Sequence, residues 1–172
     1  MRIPIATSIG IPEHLASGLL PAGIHQATAG ELITRFDGRG TGGAVGARRA
    51  QLMDSLAEML ERVRPAGVES VLLGGSFITT KAAPGDIDAL WERTAHTKRF
   101  EINHLVRETD WLNGAIMLKE AERRVTGISL RDAMWSADPA FREFLGFART
   151  GEAAGLVRVQ VDDVIRAVRA LR

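Results

Sequence analysis

A chain of 172 residues, 45% hydrophobic and 25% charged, has the size and make-up of one domain with one apolar core. It has no cysteine, which excludes disulfides, thiolate metal centres and cysteine nucleophiles. The formal charge is only +1 and no apolar run reaches the ~20 residues of a membrane span, so neither long duplex nucleic acid nor a bilayer is expected as a partner.

The opening residues lack a long apolar stretch, so no signal peptide is expected and the expected location is cytoplasmic. Residues 1–27 hold three of the six prolines and read as an extended, irregular N-terminal arm, with residues 28–172 as a single domain. Thr28 followed by Glu31 is a capping box and predicts a short helix from Glu31 to Phe36. The run Gly38-Arg39-Gly40-Thr41-Gly42-Gly43 predicts a flexible loop. Leu52, Met53, Leu56, Met59, Leu60 and Val63 recur at helical steps and predict a helix over about 45–64, stopped by Arg64-Pro65-Ala66-Gly67.

Val68 to Leu73 reads as a strand ended by Gly74-Gly75-Ser76, and Ala83-Pro84-Gly85 as a turn into a second strand, Asp86 to Trp91. Helices are expected over 95–108 and 111–124, and a third strand over 125–130. Phe141, Phe144, Leu145 and Phe147 predict a short helix. Val157, Val159 and Val161 alternate with Arg158 and Gln160, which predicts a half-buried strand, at a sheet edge or antiparallel. Asp162 or Asp163 is expected to cap a last helix through Val164, Ile165, Val168 and Leu171.

The chemistry concentrates between Leu72 and Trp91. Residues i and i+2 of a strand share a side, so Asp86 and Asp88 put two carboxylates together. Like charges that close repel unless something neutralises them, and a hard divalent cation, Mg²⁺ or Mn²⁺, does so. Gly74 and Gly75 allow a ligand to approach the backbone. Their amides, those of Ser76 and Phe77, and the Ser76 hydroxyl suit a bound phosphate. Lys81 reads as either a phosphate contact or a solvated loop lysine.

The strand, Gly-Gly-Ser and Asp-x-Asp arrangement resembles the polymerase-beta-type nucleotidyltransferase superfamily. Three segments are similar to a small bacterial branch of it: Leu20-Pro21-Ala22-Gly23-Ile24-His25, Gly75-Ser76-Phe77-Ile78-Thr79-Thr80-Lys81 and Pro84-Gly85-Asp86-Ile87-Asp88. The resemblance covers residues 19–91 and is faint beyond them. It implies an α/β (α+β) fold, a short mixed sheet with helices mainly on one side. It also implies metal-dependent transfer of a nucleoside monophosphate from a nucleoside triphosphate to a hydroxyl on a protein, an RNA end or a small molecule. Some small members act beside toxin proteins, which adds a protein partner to the expectations.

Such enzymes use a third carboxylate on a neighbouring strand. The expected third strand holds no acid, and Asp132, just past its end, is the candidate. Arg123, Arg124 and Arg131 flank it, as solvated residues or as holders of a triphosphate tail. Trp91, Trp111 and Trp135 read as packing residues, or one of them as a stacking platform for a base. His25 reads as structural, and His96 and His104 as surface residues. Two competing readings stand beside the enzyme: a catalytically degenerate binding module, antitoxin-like in its use of a partner, and a plain structural dimer subunit.

Overall fold

A computed structural model describes residues 7–98, 101–102, 128–132 and 150–172. The described elements are β1 (Thr7–Ile9), β2 (Gly23–Gln26), α1 (Ala29–Phe36), α2 (Gly43–Val63), β3 (Ser70–Gly74), β4 (Ile87–Trp91), β5 (Ile128–Asp132), β6 (Gly155–Gln160) and α3 (Val161–Arg169). The strands form one six-stranded sheet in the order β1-β2-β6-β3-β4-β5. It is mixed. β1 with β2, β2 with β6 and β4 with β5 run parallel, whereas β3 is antiparallel to both β6 and β4.

Local signals account for the helices. At α1 the Thr28 hydroxyl accepts from Glu31 N–H at 3.1 Å, and the Glu31 carboxylate accepts from Thr28 N–H at 2.8 Å, the reciprocal capping box. Ala29, Leu32 and Phe36 then fall on one buried side. α2 buries the stripe Leu52, Met53, Leu56, Met59, Leu60 and Val63. It ends where Arg64–Ala66, with Pro65 inside, tightens into a 3₁₀ turn.

The three described helices cover one face of the sheet. Leu32 and Phe36 of α1, the α2 stripe, and Val164, Ile165 and Val168 of α3 share one cluster with Val71, Leu73, Ala89, Trp91, Val157 and Val159. The alternate strand residues Ile24, Leu72, Leu90 and Leu156 form a separate buried cluster on the other face. The expected mixed α/β arrangement with flanking helices is therefore present.

Several expectations need correction. Residues 1–27 are not wholly irregular, because they supply two strands, and β2 lies inside the sheet against β6. β6 is not an edge strand, since β2 and β3 flank it, but it is antiparallel to β3, the other alternative expected. Its polar alternation arises because Arg158 forms a two-pronged pair with Glu92, at 2.8 and 2.7 Å. Neither Asp162 nor Asp163 caps α3. Gln160 holds the cap position without a side-chain bond, and the two acids lie in the first turn, where they complement the helix dipole. The glycine run 38–43 is partly packed, with Gly38 close against Gly46 and the Arg49 side chain. Trp91 is fully buried, in keeping with packing. The helices expected over 95–108 and 111–124 fall largely outside the described residues, apart from a helical 101–102. The Phe141–Phe147 segment, Trp111, Trp135, Arg123, Arg124 and His104 also lie outside them.

Candidate functional site

The antiparallel register of β3 and β4 sets Gly74 directly beside Asp88. The glycine end of one strand and the carboxylate end of the next are thus one corner of the sheet. The chain leaves Gly74 through a 3₁₀ turn, Gly75–Ile78. That turn drives Phe77 and Ile78 into the core and leaves Gly75 and Ser76 half-buried at the corner.

Gly75 has a φ of +69°, a left-handed conformation that favours glycine. A side chain there would also collide with Asp88, whose Oδ2 overlaps the Cβ position and whose Cγ lies 3.1 Å from it. The second glycine is therefore required twice over, by its backbone and by the carboxylate folded across it. Asp86 stands immediately before β4 and Asp88 is its second residue, both half-buried. Extended chain continued back from β4 to Asp86 would set them on the same side.

The loop onward from Ser76 is held by its own bonds. The Thr79 hydroxyl donates to the Ser76 carbonyl at 2.8 Å and accepts from the Lys81 N–H at 3.2 Å. Thr79 is thus a turn-closing residue. Lys81 has an exposed side chain on a backbone fixed from both sides. His14 Nε2 donates to the Ile78 carbonyl at 3.1 Å, and Thr80 N–H donates to the Gly18 carbonyl at 3.1 Å.

Two arginines of α2 complete the frame. Arg48 donates to the Gly85 carbonyl, next to Asp86. Arg49 is buried and donates to the carbonyls of Phe36, Phe77, Thr79, Lys81 and Ala82. Burial lowers its pKa from the usual arginine value, but an arginine remains cationic. Sequence reasoning missed Arg49, although a signal existed: it precedes Leu52, Met53 and Leu56 by three, four and seven residues, in step with the apolar stripe.

The third carboxylate stands differently from the other two. Asp132 is the last residue of β5 rather than a residue past its end. The parallel register sets Ser129, not an acid, beside Asp88, and Asp132 beside Trp91. Three residues of strand separate these positions, about 10 Å along the sheet. Among the described residues no three His, Asp or Glu side chains gather to hold a metal ion. What the corner presents is two hard oxygen donors, a glycine turn with one carboxylate folded across it and a hydroxyl, with the exposed Lys81 five residues on from Ser76.

His25 is structural. Its Nε2 lies 2.7 Å from the Pro21 carbonyl, which can only accept, so Nε2 carries the hydrogen. Nδ1 then accepts from the Ser8 hydroxyl at 2.7 Å. His96 is exposed.

A family model described as a family of unknown function, DUF6932, matches residues 12–160. Comparisons with curated proteins and with solved structures find no match. Among the described residues no helix is long and apolar enough to cross a membrane.

Proposed function

We propose that this chain, which belongs to the DUF6932 family, has a nucleotidyltransferase-type fold and transfers a nucleoside monophosphate from a nucleoside triphosphate to a hydroxyl acceptor. The observation that carries this reading is the juxtaposition of Gly74 and Gly75 with Asp88, which brings a glycine turn and its amides against the carboxylate end of β4. The donor chemistry suits Mg²⁺ or Mn²⁺, with Asp86 and Asp88 as the residues that would hold it. When bound, such a cation neutralises phosphate charge and supports attack at phosphorus.

The chain's own groups do the rest. The absent side chain at Gly75 lets the Asp88 carboxylate lie against the turn, beside which phosphate oxygens would bind. The Ser76 hydroxyl and neighbouring amides donate hydrogen bonds to them, and Lys81 supplies a positive charge for the end of the triphosphate. Transfer forms a bond from the acceptor oxygen to the α-phosphorus and breaks the α–β bridge. Pyrophosphate leaves, and the acceptor proton is released.

One observation favours a second reading. With Ser129 beside Asp88, the position next to the carboxylate pair on β5 carries no acid. A corner that binds a metal–nucleotide without turning it over, as a binding module beside a partner protein, accommodates that directly.

Calorimetric titration of the full chain with ATP in Mg²⁺, and again in EDTA, tests the site. Metal-dependent binding that is lost in the double variant Asp86→Asn, Asp88→Asn supports it, and unchanged binding in that variant removes it. Incubation with α-labelled nucleoside triphosphates, Mg²⁺ and bacterial lysate separates the readings. Label on protein or RNA with wild type but not with Asp88→Asn supports transfer. Metal-dependent binding with no label transferred supports the module.

A further inference from the structure

We infer that Arg49 is a positioning residue, its buried guanidinium fixing the loop that joins the glycine turn to the carboxylate pair. The functional half of this role rests on the nucleotide site proposed above, whereas the structural half stands without it.

All of its described hydrogen bonds go to main-chain carbonyls. Nη1 donates to Phe77 at 2.9 Å and Phe36 at 3.4 Å, Nη2 to Lys81 at 2.5 Å and Thr79 at 3.1 Å, and Nε to Ala82 at 3.3 Å. Four of the five acceptors belong to residues 77–82, so the loop curls around a single planar cation. The same guanidinium lies 5.5 Å from the centre of the Phe77 ring.

A charge removed from water is costly unless something solvates it. Here the loop carbonyls do so, and the dependence runs both ways. Carbonyls aimed inward at one point need a donor at that point. Lysine cannot replace it, because an ammonium carries its three donors on one atom and cannot reach both the Nε side and the far Nη side of this fork. The consequence reaches the site along the chain. Arg49 fixes Phe77, in the turn that contains Gly75 and Ser76, and it fixes the backbone of Lys81. Arg48, one residue earlier, holds Gly85 beside Asp86. Adjacent residues of α2 therefore grip the loop at both ends.

Hydrogen–deuterium exchange on the full chain, read by mass spectrometry, tests the structural half with Arg49→Lys and Arg49→Ala. Exchange of the 76–86 amides should rise roughly tenfold or more in both, with protection in α3 and β6 kept. Added methylguanidinium should restore protection in Arg49→Ala and leave Arg49→Lys unchanged, a rescue that a general loss of packing does not give. Calorimetry with Mg²⁺–ATP then tests the functional half. Affinity should fall about tenfold in Arg49→Lys and recover with methylguanidinium in Arg49→Ala.

Unchanged loop exchange in folded Arg49→Lys overturns the inference. A loosened loop with unchanged affinity overturns the positioning role. If wild type itself binds no Mg²⁺–ATP, the nucleotide reading fails, and the exchange result alone still decides what Arg49 does to the loop.

Discussion

The carboxylate of Asp88 occupies the space that a Cβ on Gly75 would need. Gly75 opens the turn that follows β3 and Asp88 lies on β4, and the register that sets Gly74 opposite Asp88 brings the two together. The glycine and the acid are therefore one structural unit, and changing either re-aims the other.

Gly75→Ala is expected to lower stability by about 1–3 kcal/mol, from a strained left-handed backbone together with the displaced carboxylate. It should also abolish metal-dependent nucleotide binding. Gly85→Ala is the control, since a Cβ there meets nothing within 4 Å and should change stability by no more than about 0.5 kcal/mol. Thermal melts and calorimetry of both variants give the comparison. Equal behaviour of the two would refute the Gly75–Asp88 coupling.

The Arg158–Glu92 pair ties β6 to the end of β4, with the Ser70 hydroxyl donating to the same carboxylate at 2.9 Å. The hydrogen bonding that Arg158 donates to the Glu92 carboxylate raises the Arg158 pKa, more than partial burial lowers it. The side chains are 25% and 22% exposed, so removing one partner leaves a poorly hydrated charge. Arg158→Met should cost about 1–3 kcal/mol and Arg158→Lys about half as much, because lysine keeps the charge and loses the fork. Urea unfolding with an unchanged m-value measures both.

Acid should weaken the start of α1. The Thr28 backbone N–H, then the Thr28 hydroxyl, hold the Glu31 carboxyl below its ordinary value of 4.5. Because the folded value is the lower one, this contribution is complete above the unfolded pKa and is lost as pH falls through the folded one. Melting temperature followed from about pH 6 to pH 3 should drop less steeply in Glu31→Gln than in wild type. Parallel curves would show that the capping box does not titrate with folding.

Gly155 packs against the structural histidine. A Cβ there would lie 2.6 Å from His25 Nε2 and would overlap the Pro21 carbonyl that His25 holds. Gly155→Ala should therefore cost about 1–3 kcal/mol and loosen the β2–β6 pairing. Gly40→Ala, where a Cβ meets nothing within 4 Å, should change little. Chemical denaturation of the two distinguishes them, and equal midpoints would show that β2 yields without cost.

What the sequence made legible follows the range of the interactions. Thr28 and Glu31 are three residues apart, so the capping box can be read directly. The α2 stripe and the β3 and β4 strands are local patterns too. That the glycine end of one strand and the Asp-x-Asp of the next belong to one site was readable because the two strands are consecutive in the chain. β2 was hidden, because Gly-Ile-His-Gln is short and its partner β6 lies near the other end of the chain. Arg158 suggested solvent because a polar residue on a strand looks the same whether it faces water or Glu92. Asp132 was placed past a strand end because nothing in Val125–Leu130 marks a register, and three residues of offset decide what stands beside Asp88. Arg49 was overlooked because a cation solvated by carbonyls has no acidic partner to announce it.

The position of β2 constrains how the molecule is made. Most of the chain lies between Gly23 and its partner Gly155, so β2 emerges early from the ribosome and stays unpaired on that side until β6 arrives. The β3–β4 pair, joined by the Arg49-gripped loop, can form long before. A chain with such distant pairing folds slowly and carries open strand edges while it waits. The slow step is thus expected at the sheet's centre, and because the corner that holds Asp88 forms before it, substitutions at that corner should slow folding more than they speed unfolding.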